Sequence, residues 1–190
     1  MTQMNSFNTL ALAHQVIAEH VRPGDFCIDA TAGRGRDTVF LCELVGETGK
    51  VLAFDIQEEA VASTCALLRE KGLSDRAQVV LDSHSHMDQY APPESVDCIV
   101  FNFGYLPGGD HTIFTRSETS IAAIEQGLKL LKPNGLMSLC IYYGGDSGYA
   151  EKDALLAYLK TIDSKRYTVV VCSFYNRPND PPIPAFITRD

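Results

Sequence analysis

Short, nearly continuous apolar runs alternate along this chain with stretches whose apolar positions recur every three or four residues. The first pattern belongs to strands buried on both faces and the second to amphipathic helices. Strands are predicted at roughly Asp25–Ala30, Lys50–Asp55, Gln78–Leu81, Val96–Asn102, Leu136–Tyr142, Thr168–Tyr175 and Ala185–Thr188. Helices are predicted near Leu10–His20 and at Asp37–Val45, Glu58–Lys71, Ser117–Leu131 and Tyr149–Ile162. Gly72 stops the third of these, and Lys132-Pro133-Asn134-Gly135 turns the fourth into a strand. The alternation predicts an α/β fold: a seven-stranded, mostly parallel sheet with helices on both faces. Asn176 to Pro182 is too short for a crossover helix, so the last two strands form an antiparallel hairpin.

Composition narrows the picture. A chain of 190 residues that is 45% hydrophobic supports one good core, so residues 1–190 read as a single domain. Its six scattered cysteines, with no C-x-x-C pair, read as reduced core residues. The first twenty residues have no basic start followed by an apolar block, and no run is long enough to span a bilayer. A cytoplasmic protein without a membrane segment is the expectation. The net charge of −8 argues against broad, sequence-independent nucleic-acid binding but leaves room for a local basic patch.

The densest chemistry lies in Phe26-Cys27-Ile28-Asp29-Ala30-Thr31-Ala32-Gly33-Arg34-Gly35-Arg36-Asp37-Thr38. An apolar strand ends in an acid and runs into a Gly-x-Gly turn, where backbone bends sharply and the next helix begins with unpaired N–H groups. Asp55 ends the next strand about 20 residues past the glycines, where a ribose-binding carboxylate belongs in such folds. Asp82 follows the third strand. Each acid alone reads equally well as a turn or helix cap; three at successive strand ends point to a site. A dinucleotide cofactor is the rival occupant, yet Asp37-Thr38 stands where its third glycine belongs, and an acid at the loop entrance opposes a pyrophosphate.

Asn102-Phe103-Gly104-Tyr105-Leu106-Pro107-Gly108-Gly109-Asp110 follows the fourth strand. Its Asn-x-x-Tyr resembles the Asn-Pro-Pro-Tyr signature of amine methyltransferases, with Phe103-Gly104 in place of the two prolines. An amide oxygen there can accept an amine's hydrogens and aim its lone pair, and Tyr105 can stack on a flat base. A protonated amine must also lose its proton; Asp110, His111, Tyr105 and water are all candidates. His84-Ser85-His86 is too sparse for a metal site, and none is expected.

The whole chain resembles class I S-adenosylmethionine-dependent methyltransferases, a Rossmann-like fold closed by just such a hairpin. That resemblance implies S-adenosylmethionine as cofactor, Asp29 toward its ammonium directly or through water, Asp55 on both ribose hydroxyls, and Asp82 beside the adenine. More narrowly, Asp29 to Thr38, Phe54 to Gln57, Asn102 to Asp110 and Asn179-Asp180-Pro181-Pro182 resemble one small family long labelled "putative rRNA methylase". It implies cofactor contacts at Gly33, Arg34, Gly35, Arg36, Asp55, Gln57, Ser83 and His84, and a catalytic side built from Asn102, Tyr105 and Asp110. It also implies a tRNA anticodon loop as partner, with methylation of the aminomethyl nitrogen of 5-aminomethyl-2-thiouridine at the wobble position. Another RNA or a small-molecule amine is the alternative acceptor. The family commonly has Asn where Arg34 stands, and a His- and Glu-containing segment where this chain has Tyr143 to Gly148. Arg34, Arg36, Arg116, Arg177 and Arg189 are the candidates for a basic rim, which a homodimer would widen.

Overall fold

The computed structural model describes residues 8–104, 117–143, 145–178 and 180–190, with backbone alone for 145–148. In chain order the elements are α1 (Thr9–His20), β1 (Phe26–Asp29), α2 (Arg36–Val45), β2 (Lys50–Asp55), α3 (Glu58–Lys71), β3 (Ala77–Leu81), β4 (Val96–Phe103), α4 (Ser117–Leu130), β5 (Leu131–Ile141), α5 (Gly145–Leu159), β6 (Tyr167–Val171) and β7 (Ile183–Arg189). The strands form one sheet in the order β3-β2-β1-β4-β5-β7-β6. β1 through β5 run parallel, and β7 pairs antiparallel with both β5 and β6.

Two apolar layers hold this sheet. On one face α1, α2 and α3 bury Ile17, Leu41, Val45 and Leu68 against Cys27, Val51, Cys98 and Val100. On the other, α4 and α5 bury Ile124, Leu130, Leu155 and Leu159 against Ile28, Phe54, Phe101 and Leu139. Alternate residues of one strand thus enter opposite cores, which is why the strands read as unbroken apolar runs.

The helix ends follow local chemistry. Asn8 caps α1 by accepting the Ala11 N–H at 2.9 Å. Gly72, in the left-handed region at φ 67°, ends α3 with its own N–H on Arg69 O and the Leu73 N–H on Leu68 O, a Schellman closure.

Two expectations need correction. The strand expected at Leu136–Tyr142 begins at Leu131, because Lys132 to Gly135 form a bulge within β5: Val96 pairs with Leu131 and Cys98 with Leu136, with Asn134 at φ 63°. The strand expected at Thr168–Tyr175 stops at Val171. Its ladder ends with the Cys172 N–H on Pro184 O, and the facing Pro181, Pro182 and Pro184 have no N–H with which to extend it.

The chain passes from β1 outward to β2 and β3, then returns to the opposite side of β1 as β4. The carboxyl ends of β1 and β4 therefore flank the crevice at which doubly wound sheets bind ligands.

Candidate active site

Asp29, Asp55 and Asp82 lie along one edge of the sheet: Asp29 is opposite Ala53, Asp55 is opposite Leu81, and the Asp82 N–H donates to Asp55 O at 3.1 Å. Each does something different there. Asp55 accepts the Gly33 N–H at 2.9 Å on one oxygen and the Gln57 N–H at 3.0 Å on the other. It is half-buried. Each oxygen keeps a second acceptor position, a pair matched to the two hydroxyls of a ribose.

Asp29 is fully buried, and its carboxylate ties together the two ends of the glycine loop. One oxygen accepts the Thr31 N–H at 3.2 Å and the other the Thr38 hydroxyl at 2.6 Å. Burial disfavours the charged form and Asp37 repels it; the two hydrogen bonds only partly offset this, so the carboxyl is pushed up to about 7.

A carboxyl raised in the folded state binds its proton more tightly there than in the unfolded chain. Its contribution to stability is therefore full below about pH 4 and is lost as pH rises through about 7. Asp29→Asn cannot ionise. Urea melts across this window are expected to show the variant gaining on the parent with rising pH, by on the order of a few kcal/mol; a constant difference refutes the assignment.

The glycine turn is set by its neighbours. Gly35 caps α2 at φ 80°, and a Cβ there would stand 2.9 Å from Thr64 Cα in α3, so α2 and α3 can approach only over a glycine. Gly33, at φ 54°, presents its N–H to Asp55 and its carbonyl to the Thr64 hydroxyl at 3.3 Å. Arg34 turns to Glu59 of α3 at 2.7 Å, and Arg36 is exposed at the start of α2.

Past β3, Asp82 accepts from the Ser83 N–H at 2.7 Å, His86 Nδ1 at 2.8 Å and the Tyr90 hydroxyl at 2.8 Å. The His86 bond, then those of Tyr90 and Ser83, hold its carboxyl below the usual range. Ser83 caps the short 3-10 turn His84–Gln89. His84 leans edge-on against Phe101 and Phe103, and its Nδ1 is 3.2 Å from Ala30 O. A carbonyl only accepts, so Nδ1 carries the hydrogen and Nε2 is the acceptor; burial lowers the imidazole's pKa.

Asn102 stands near the end of β4, with its backbone N–H donating to the Thr31 hydroxyl at 2.7 Å. Its Nδ2 donates to Asp37 Oδ2 at 2.7 Å, and Asp37 Oδ1 lies 2.7 Å from His14 Nε2. His14 in turn stacks on Phe40, with centroids 4.0 Å apart and planes 14° from parallel. Because a carboxylate oxygen accepts, the Asn102 amide nitrogen faces Asp37, and Oδ1 is the acceptor end of the amide. Tyr105, Asp110 and His111 lie outside the described residues, as does Arg116.

Sequence reasoning missed Asp37, Thr31, Thr38 and His14 as parts of the site. Asp37-Thr38 did carry a signal, as the pair displacing a third glycine; His14, 23 residues from its partner, carried none. Arg189, expected on the rim, is at the other end of the sheet, where its guanidinium meets Glu94 and the Leu131 carbonyl.

At the residue after Asn102, the Tyr142 N–H donates to Phe103 O at 3.0 Å. Tyr142 forms one wall of a cleft of about 300 Å³ whose other walls include Thr9, Phe174, Arg177 and Pro182. Asn8, Leu10 and Pro181 complete its lining, from the start of α1 and the segment before β7. Burial pushes the Tyr142 phenol up to about 12, so its ring stays neutral.

These residues fit S-adenosylmethionine. Asp55 offers acceptors suited to a ribose diol, and the acid Asp37 stands in the first turn of α2, where a dinucleotide's pyrophosphate would need positive charge. A 3-2-1-4-5-7-6 sheet with this edge of acids defines a class I S-adenosylmethionine-dependent methyltransferase. The family described as "Putative rRNA methylase" matches residues 51–188, and the chain belongs to it. An Arabidopsis thaliana protein named tRNA (mnm(5)s(2)U34)-methyltransferase, chloroplastic, is 34% identical over 94% of this chain and 69% of its own length. The crystal structure of a "putative rRNA-methylase" from Clostridium thermocellum superposes with a TM-score of 0.95 at 43% identity, covering 98% of this chain and 100% of that one. That of SMU.1697c, a "putative methyltransferase" from Streptococcus mutans in complex with SAH, does so at 0.88 and 32%, with coverage of 98% and 100%. The protein is thus an enzyme that uses S-adenosylmethionine. No helix among the described residues is long and apolar enough to cross a membrane.

Proposed function

We propose that the protein methylates RNA at an exocyclic amine, namely the aminomethyl nitrogen of 5-aminomethyl-2-thiouridine at the tRNA wobble position. The observation that carries this reading is the Asn102 amide near the end of β4, bonded through its nitrogen to Asp37 so that its oxygen is the acceptor end. S-adenosylmethionine supplies an electrophilic methyl group on a sulfonium. Asn102 Oδ1 accepts an N–H of the amine, directs the lone pair along the line of attack and stabilises the positive charge that grows on nitrogen. Tyr105 is the proposed stacking ring and Asp110 the proposed proton acceptor.

The identity of the base is supported by the name of the Arabidopsis relative. An anticodon loop presents unstacked bases that an acidic protein can read by stacking and a few local cations, here Tyr142 and Arg177 in the cleft and exposed Arg36. We place this activity in the cytoplasm, where all six cysteines, free in the structure, stay reduced.

The net charge of −8 favours a second reading, a small-molecule amine as acceptor. Radiolabelled cofactor with tRNA that lacks only this methyl is expected to give labelled 5-methylaminomethyl-2-thiouridine, at a rate that falls steeply as salt rises. No label in the tRNA rejects the RNA reading. Label in a small amine, indifferent to salt, favours the second.

A further inference from the structure

Asn102, Asp37 and His14 come from β4, α2 and α1, and two bonds of 2.7 Å join them in a line. We infer that Asp37 and His14 are positioning residues for methyl transfer: Asp37 fixes which end of the Asn102 amide faces the acceptor nitrogen, and His14 fixes Asp37. The inference rests on the role proposed above for Asn102.

An asparagine amide is nearly symmetric in shape and opposite in chemistry at its two ends. Rotated by half a turn, it presents two donors where an acceptor is required. The Asn102 backbone bond to Thr31 fixes the main chain and leaves that rotation open. Asp37 closes it, because a carboxylate accepts from Nδ2 and repels Oδ1.

Asp37 is itself well placed for this. It lies in the first turn of α2, where the helix N-terminus favours negative charge, and its side chain is only 11% exposed. His14 holds the second carboxylate oxygen, and stacking on Phe40 limits the imidazole's own rotation. Both oxygens of Asp37 are thereby committed, one to each partner, and the carboxylate cannot turn without losing both bonds.

The test is a kinetic cycle on tRNA carrying 5-aminomethyl-2-thiouridine. Asp37→Ala is expected to lower kcat about thirtyfold or more while its affinity for S-adenosylhomocysteine stays within about twofold. Adding Asp37→Ala to Asn102→Ala is expected to cost little further, within about threefold, because the residue acts through the one already removed. Asp37→Asn, whose amide oxygen still accepts from Nδ2, and His14→Gln, which keeps an N–H donor, are expected to retain more kcat than the corresponding alanine variants. Full kcat in Asp37→Ala while Asn102→Ala is slow overturns the inference, as does a double variant slowed by the product of both effects. Should Asp37→Ala not fold, His14→Ala takes its place in the cycle with the same criteria.

A nuclear magnetic resonance measurement separates this inference from the choice of substrate. In nitrogen-15-labelled protein, the Asn102 side-chain amide pair, identified by its loss in Asn102→Ala, is expected to move to free-amide positions and exchange faster in Asp37→Ala or His14→Ala. An unmoved pair overturns the inference whatever the acceptor is. A moved pair with unchanged kcat in Asn102→Ala sinks the catalytic reading of Asn102, and the positioning inference with it.

Discussion

Replacing Asn102 by alanine lowers kcat about a hundredfold or more and leaves the affinity for S-adenosylhomocysteine within about twofold, the expected signature of a group that acts on the acceptor nitrogen alone. The side chain lies at the end of β4, outside the set of acids that meet the glycine loop, and its nitrogen is spent on Asp37. What the substitution removes is one aligned acceptor for the amine. The lone pair then points in many directions and the growing charge on nitrogen loses its nearest negative dipole; effects of this kind are commonly worth about 3 kcal/mol or more. Calorimetric titration of the product cofactor and single-turnover methylation, measured on the same preparation, check both halves. Equal losses in binding and turnover would contradict the assignment.

Asp55→Ala gives the complementary result. The variant is expected to bind S-adenosylhomocysteine about a hundredfold more weakly, corresponding to roughly 3 kcal/mol of hydrogen bonding to the ribose diol. The effect has a second source, since the Gly33 and Gln57 N–H groups lose their acceptor and the glycine loop loses its tie to β2. Asp55→Asn separates the two, because an amide oxygen can still take one of these N–H groups but cannot serve both while receiving two hydroxyls. Its affinity is expected to lie between those of parent and alanine variant. Unchanged binding in Asp55→Ala would remove the ribose from this carboxylate.

Much of this architecture is legible in the chain. Phe26 to Asp29, Lys50 to Asp55 and Val96 to Phe103 read as strands because each feeds two apolar cores at once, and such a run has few other places to go. The acids at their ends are equally visible, since a charged residue closing an apolar run marks where a strand meets solvent or a site. Boundaries governed by pairing were less so. β6 looked longer than it is because Phe174 and Tyr175 continue its apolar character, whereas its length is set by prolines on the facing segment. α5 begins at Gly145, before the helical spacing becomes evident at Tyr149.

The same division runs through the site. Local residues determine the Gly33-Arg34-Gly35 turn, the helix that starts behind it and the row of strand-end acids, because each depends on backbone conformation within a few residues. Which partner each side chain takes is decided by the strand order. Setting β4 beside β1 brings Asn102 to Asp37, 65 positions earlier, and packing α1 over the same edge adds His14. The order likewise assigns Asp29 to the core, Arg34 to Glu59 and Arg189 to the far end of the sheet. A polar side chain read in isolation has several partners of similar energy, and only the register of distant segments selects among them.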